Sequence, residues 1–131
     1  MKGLFVDTAG WMACADAADP LHASACEARD AALEQGALPV TTDYVIDEML
    51  TFTRMRLGLP AARAWLNQVE GSSRLRWEWV GMERAEKARK AFFRFRDKSY
   101  SFTDCTSLVV MQELRLKLVL TTDRHFRQTS R

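Results

Sequence analysis

The chain has 131 residues, a formal net charge of +2, 47% hydrophobic residues and 27% charged residues. These values are typical of one soluble globular domain covering residues 1–131. They exclude a membrane-spanning protein, because no apolar run approaches the ~20 residues that cross a bilayer, and the first apolar run is too short for a secretion signal. Three cysteines without metal-type spacing indicate free thiols and a cytoplasmic location: Cys14, Cys26 and Cys105.

Four apolar runs have the length of β-strands, and helical patterns fill most of the intervals between them. The third run alternates polar and apolar residues, which predicts a strand at the edge of the sheet. We predict strands at residues 3–6, 38–41, 74–80 and 117–121.

The helical patterns are recognised by their periodicity and by the residues at their ends. Gly36 and Gly58 are typical stops, and Pro60 suits the first turn of a helix. Met82, Ala85, Ala88, Phe92 and Phe95 mark one face of a helix. We predict helices at residues 23–35, 44–57, 60–71 and 82–96, and a last one marked by Leu108, Val109, Met111 and Leu114.

Strands that alternate with helices predict an α/β fold, in which helices cover both faces of a mainly parallel sheet. Ligands bind such sheets beyond the carboxyl ends of the strands, where the strand order reverses. Asp7 and Asp123 each follow a predicted strand, and Glu48 and Asp104 lie in the early turns of helices that begin at the same edge. We therefore expect all four carboxylates to face one crevice.

Three of these acids also have an explanation in helix capping. Asp7 can cap a helix that begins at Thr8, and Asp104 completes a capping box with Ser101. Asp123 can start a short terminal helix in the same way. Capping and metal binding are compatible, because a helix amino terminus favours a carboxylate in both cases.

Glu48 lies too deep in its helix to cap it. It shares a face with Phe52 and Met55, at the rim of the apolar side, whereas Asp47 belongs to a solvated stripe. A carboxylate in that position needs a cation or an arginine, because burying an unpaired charge costs several kcal/mol.

Electrostatics decides what a cluster of four acids requires. Two unit charges ~4 Å apart repel by about 4 kcal/mol at an effective dielectric constant of about 20. The cluster must therefore take up protons or bind a hard cation. Mg²⁺ prefers oxygen ligands and leaves room for substrate phosphates, which indicates metal-dependent cleavage of phosphodiester bonds.

Four segments together resemble the PIN-domain nucleases, and within them the VapC-type toxins. The resemblance implies a three-layer α/β/α fold around a central, mainly parallel sheet of four or five strands. The segments occur in the family's order across nearly the whole chain: Leu4-Phe5-Val6-Asp7-Thr8, Val45-Ile46-Asp47-Glu48, Tyr100-Ser101-Phe102-Thr103-Asp104-Cys105 and Leu120-Thr121-Thr122-Asp123-Arg124-His125-Phe126.

The resemblance implies a metal-dependent endoribonuclease that hydrolyses RNA with Mg²⁺ or Mn²⁺. Thr8 and Asp97 are candidates for an additional ligand or for a group that supports the ligands. Such toxins act on structured RNA, form homodimers and are silenced by a cognate antitoxin protein. The family's catalytic and metal-binding acids correspond here to Asp7, Glu48, Asp104 and Asp123.

Basic residues offer a surface for the RNA backbone, although a solvated helix face explains most of them equally well. The candidates for binding substrate are Arg94, Arg96, Lys98 and Arg124.

Several rival functions remain open at this point. The fold can serve as a non-catalytic RNA-binding or interaction module, as a housekeeping RNA-processing nuclease, or as a DNA nuclease. A phosphotransferase with Asp7 as nucleophile would usually have a second acid at the position of Ala9. A nucleotide-binding protein would have a glycine-rich loop after the first strand, and this chain has none there.

Overall fold

The computed structural model describes residues 2–96 and 99–123. Within them a parallel sheet has the strand order β3-β2-β1-β4. The prediction of a parallel sheet with the third strand at one edge is confirmed. That residues 1–131 form one domain stays a prediction. The four strands are β1 (Gly3–Val6), β2 (Leu38–Thr42), β3 (Arg76–Glu78) and β4 (Leu118–Leu120).

Six helices flank the sheet in the described part of the chain, and local chemistry sets several of their ends. The Thr42 hydroxyl accepts from the Val45 N–H at 3.1 Å and caps the third helix. Gly58 ends that helix with a φ of 97°, which favours glycine. The helices are α1 (Thr8–Ala15), α2 (His22–Glu34), α3 (Asp43–Leu57), α4 (Leu59–Glu70), α5 (Gly81–Arg94) and α6 (Phe102–Glu113).

Strand β1 lies at the centre of the fold, with all four of its residues buried. Phe5 packs in a cluster that includes Ala88 of α5 and Leu108 of α6. Leu4 and Val6 point to the opposite side and pack in another cluster. Because both faces of β1 are covered, the three-layer α/β/α prediction is confirmed.

The order of the strands determines where a ligand can bind. Strand β1 pairs with β2 on one side and with β4 on the other, so the strand order reverses beside β1. All four strands are parallel, which brings their carboxyl ends to one edge of the sheet. A crevice beyond the ends of β1 and β4 is therefore the expected binding position.

Two features of the helices differ from the sequence-based predictions. Helix α1 was anticipated only as the helix that Asp7 would cap; it is short and buries Gly10 and Met12 without a periodic apolar face. Met82 was assigned to the buried face of α5 but is 90% exposed. Ala85 and Ala88 are buried on that face as predicted, together with Ala91, and their small side chains allow α5 to pack closely on α6.

All three cysteines carry free thiols, as the sequence predicted. Within residues 2–96 and 99–123, no helix combines the length and the apolar character that crossing a membrane would require.

Gly10 tests how α1 is packed against β4. A Cβ atom on Gly10 would lie 2.1 Å from the backbone oxygen of Leu120, so the strand or the helix would have to move. We expect Gly10→Ala to lower the free energy of unfolding by roughly 1–3 kcal/mol, as overpacked sites do. Chemical denaturation measures this change. The same substitution without a clash would stabilise a helix by about 0.5–1 kcal/mol, so an increase would contradict the packing described.

Candidate active site

A cavity of about 350 Å³ is lined by all four acids that the sequence predicted. Asp7 follows β1 and Asp123 follows β4, while Glu48 and Asp104 come from α3 and α6. Four separate elements thus bring their carboxylates to the edge where the strand order reverses. The expectation that these acids face one crevice is confirmed; their catalytic and metal-binding roles stay predictions.

Asp7 is the most deeply buried of the four, with only 2% of its surface exposed. Its Oδ1 accepts from the Gly10 N–H at 2.7 Å, so Asp7 also caps α1. Its Oδ2 accepts from the Thr121 hydroxyl at 2.5 Å. The capping explanation is therefore correct, and it operates together with a position in the acidic cavity.

Burial is the main reason why the pKa of Asp7 rises from 3.8 to about 7. The hydrogen bonds from Thr121 and Gly10 oppose this rise because they stabilise the charged form. The negative charges of Asp104 and Asp123 add to it. The fold thus holds Asp7 where its ionised form is costly unless a positive charge is nearby.

Asp104 occupies the third position of α6 and completes the predicted capping box. Its backbone N–H donates to Ser101 Oγ at 3.0 Å, and the Ser101 N–H donates to Asp104 Oδ2 at 3.0 Å. Burial raises the pKa of Asp104, and repulsion from Glu48 and Asp123 raises it further. These mutual effects show that the carboxylates of the cavity interact with one another.

Glu48 is half-buried whereas its neighbour Asp47 is exposed, which confirms the choice of Glu48 as the acid that faces inward. The prediction that Met55 belongs to the apolar side of α3 was wrong, because this side chain is 78% exposed. Phe52 and Arg56 line the cavity with Glu48 instead. Steps of four residues keep these three side chains on one face of α3.

Thr121 links the two acids that follow the central strands. Its hydroxyl donates to Asp7 and accepts from the Asp123 N–H at 2.9 Å. No role for Thr121 was predicted from the sequence. A hydroxyl two residues before a candidate acid was the available signal, since such hydroxyls often bond to a nearby backbone N–H.

Thr8 also lines the cavity. Its hydroxyl is buried and has no hydrogen-bond partner among the described residues. A buried hydroxyl normally has a partner, so this one suits a water molecule or ligand in the cavity. Asp19, which was not predicted as a site residue, lines the cavity too, with its Oδ1 accepting from the Leu21 N–H at 2.8 Å.

The predicted substrate-binding residues are spread more widely. Arg94 and Arg96 are exposed, and Arg94 lines a different cavity, between α5 and α6. Their contact with RNA stays a prediction. Asp97, Lys98 and Arg124 lie outside the described residues, as does the short terminal helix suggested after Asp123.

Other cations of α5 are held by carboxylates. Arg84 Nε lies 2.8 Å from Glu113 Oε1, and Lys87 Nζ lies 2.8 Å from Glu113 Oε2. Arg84 also bonds to Glu78 at 3.0 Å. Arg84 and Lys87 therefore connect α5 with β3 and α6 and are less available to an RNA phosphate.

The donor set fits a hard divalent cation, since carboxylate and hydroxyl oxygens are the ligands that Mg²⁺ and Mn²⁺ prefer. In residues 2–96 and 99–123, however, no three Asp, Glu, His or Cys side chains are arranged so that together they could hold one metal ion. A cation that keeps several waters needs only one or two direct carboxylate contacts. The cavity fits that type of binding better than a closed cage of protein ligands.

Comparison with known proteins agrees with this arrangement. The family model of the PIN domain matches residues 4–131. The chain belongs to the PIN-domain family. It is 30% identical over 126 residues to ribonuclease VapC26 of Mycobacterium tuberculosis, covering 94% of this chain and 89% of the relative. The resemblance to VapC-type proteins is thereby confirmed.

A second relative and its solved structure support the same assignment. The chain is 31% identical over 110 residues to the 23S rRNA-specific endonuclease VapC20 of M. tuberculosis, covering 84% of this chain and 81% of the relative. The crystal structure of VapC20, described as a toxin that cleaves the sarcin–ricin loop, aligns with a TM-score of 0.84 at 29% identity. That alignment covers 96% of this chain and 94% of the VapC20 chain.

The raised pKa of Asp7 makes stability depend on pH when no metal is bound. The pKa of Asp7 is higher in the folded state, so proton binding by Asp7 stabilises the folded protein. This stabilisation is fully present below pH 3.8 and is lost as pH rises through about 7. With a metal chelator present, the Asp7→Asn protein should not lose stability in this pH range, because it has no carboxyl to titrate at this position. At pH 8 we expect its free energy of unfolding to exceed that of the wild type by at most about 4 kcal/mol. Urea denaturation at pH 5 and pH 8 measures the difference.

Asp47→Asn is the control, because Asp47 is exposed and next to the cavity residue Glu48. Its pH profile should follow that of the wild type. If the profiles of Asp7→Asn and the wild type ran parallel from pH 5 to pH 8, burial would not be shifting the titration of Asp7.

Proposed function

We propose that this protein is a metal-dependent endoribonuclease that hydrolyses phosphodiester bonds of RNA at the acidic cavity, and that it acts as the toxin of a type II toxin–antitoxin pair. The observation that carries the proposal is the meeting of Asp7, Glu48, Asp104 and Asp123 on one cavity from four separate elements. The names of its relatives, which are ribonucleases and a 23S rRNA-specific endonuclease, support the choice of RNA.

In this proposal one or two of the four carboxylates bind Mg²⁺ or Mn²⁺ directly, the other acids contact it through water, and the Thr8 hydroxyl is a further donor. The buried, mutually repelling carboxylates support it, because a cation would offset the cost of keeping them ionised. When bound, the cation supplies positive charge that stabilises negative charge on the phosphate and on the attacking water.

The protein's own residues orient the reacting groups. The Gly10 N–H and the Thr121 hydroxyl fix both oxygens of Asp7, and Ser101 fixes Asp104. Such fixed carboxylates need no reorganisation when the substrate arrives. We propose that a carboxylate of the cavity accepts the proton of the attacking water, and that Glu48, which lines the cavity, is this base.

Structured ribosomal RNA is the substrate class we propose, since VapC20 is named for 23S rRNA and for its sarcin–ricin loop. A DNA nuclease, a housekeeping RNA-processing enzyme and a non-catalytic RNA-binding module are the alternatives. A DNA nuclease would cut DNA, whereas a housekeeping enzyme would cut RNA. The third predicts RNA binding without cleavage.

We further propose a homodimer that a cognate antitoxin protein silences in the cytoplasm. Large apolar side chains exposed on the surface support an interface, because binding a second chain would remove them from water. Light scattering should give a mass of two chains of 15.0 kDa for the isolated protein, and a single-chain mass at micromolar concentration would refute the dimer. The large apolar residues exposed in the described part of the chain are Leu21, Met55, Leu57, Leu59, Trp79, Met82, Phe92, Phe93 and Leu118.

Metal-dependent cleavage tests the function directly. Purified protein free of antitoxin is incubated with ribosomal RNA, a sarcin–ricin hairpin and DNA, in Mg²⁺ or Mn²⁺ and then in EDTA. We expect cleavage of RNA that stops in EDTA. Asp104→Asn should lower the rate at least 100-fold, because it removes a charge that positions the metal and substrate.

Asp47→Asn is the matched control: the same chemical change on an exposed carboxylate should leave the rate within about twofold. Cleavage that persists in Asp104→Asn would identify a contaminating nuclease. Tight RNA binding without cleavage in either metal would favour the binding module instead.

A further inference from the structure

We propose that Arg56 binds a backbone phosphate of the RNA beside the acidic cavity and so helps to hold the substrate. This inference rests on the proposed nuclease function. Arg56 lies in the last turn of α3, two turns after Glu48, and lines the same cavity as the four acids. The acidic motifs do not identify Arg56. Its position on the same face of α3 as Glu48 does.

The setting of Arg56 leaves its charge available. Among the described residues that line the cavity, it is the single lysine or arginine. It is exposed and forms no ion pair with a described carboxylate, unlike Arg84 and Lys87 of α5. A cation that is not already neutralised can gain more from a phosphate than one held by glutamates.

An aromatic ring holds the guanidinium at the cavity wall. The Arg56 Cζ atom lies 5.8 Å from the centre of the Phe52 ring, within the distance of a cation–π contact. Phe52 lines the cavity one turn after Glu48. The ring reduces the freedom of the arginine side chain, so less entropy is lost when a phosphate binds.

The charge balance of the cavity explains why such a cation is useful. Asp7, Glu48, Asp104 and Asp123 repel the RNA backbone, and one divalent ion offsets only part of their charge. A planar guanidinium matches two phosphate oxygens at once. In this proposal Arg56 therefore attracts the RNA strand at the edge of a negatively charged site.

Binding measured as a function of salt tests the role of Arg56. All variants carry Asp104→Asn, which slows cutting during the binding measurement. In this background we compare Arg56→Ala, Arg56→Lys and the control Arg54→Ala. The control removes an equal, exposed charge that does not line the cavity. The probes are a labelled sarcin–ricin hairpin and an unrelated single-stranded RNA of equal length, followed by fluorescence anisotropy.

We expect Arg56→Ala to weaken binding of both RNAs roughly tenfold and to reduce the slope of log K against log salt by about 1, because a phosphate contact is independent of sequence. Arg56→Lys should keep the slope and lose part of the affinity. Arg54→Ala should change the affinity by less than about twofold. In the catalytically active protein, Arg56→Ala should raise KM more than it lowers kcat.

An unchanged salt slope in Arg56→Ala, or an equal effect of Arg54→Ala, would overturn the proposal. A lower melting temperature of Arg56→Ala in EDTA with unchanged RNA affinity would assign Arg56 to neutralising the acids instead, and would overturn it too. A wild-type protein that cuts neither RNA nor DNA would refute the nuclease function. The salt dependence of RNA binding tests the role of Arg56 independently of cleavage.

Discussion

The site depends on the cost of keeping Asp7 ionised inside the fold. Its place at the end of the fully buried strand β1 removes its carboxylate from water, and burial is the largest contribution to its raised pKa. Two hydrogen bonds reduce that cost without removing it, and Asp104 and Asp123 increase it. A divalent cation near Asp7 would stabilise the ionised site and the phosphate of a substrate together, so the need for charge balance connects the fold with the proposed chemistry.

Much of the fold is recognisable in the sequence because the strong signals are local. The continuous apolar strand β1, the alternating edge strand β3 and the capping box of Ser101 and Asp104 each depend on neighbours within a few residues. The convergence of the four acids also follows from the sequence, once parallel strands place their carboxyl ends at one edge. The choice of Glu48 over Asp47 required only the period of a helix.

Other features depend on contacts between distant parts of the chain. The Thr121 hydroxyl reaches Asp7 across 114 positions, and Gly10 is needed because the Leu120 carbonyl lies against α1. Met55 is exposed although the apolar periodicity placed it on the packed side of α3, and Arg56 lines the cavity with Glu48 and Phe52. Contacts with residues that are distant in the chain determine these features, and a single sequence does not show which residues make those contacts. The same limit applies to the ion pairs of Arg84 and Lys87 with Glu113, which join α5 to α6 across more than 25 positions of the chain.

Anomalous X-ray scattering from crystals grown with Mn²⁺ would test most directly whether the acidic cavity is a metal site. The account predicts a manganese peak in the cavity, with oxygens of one or two of its carboxylates at about 2.1–2.3 Å and waters completing the coordination. The peak should disappear in Asp7→Asn crystals grown under the same conditions. Manganese bound elsewhere on the protein, with ordered water alone between Asp7 and Asp104, would contradict the central claim.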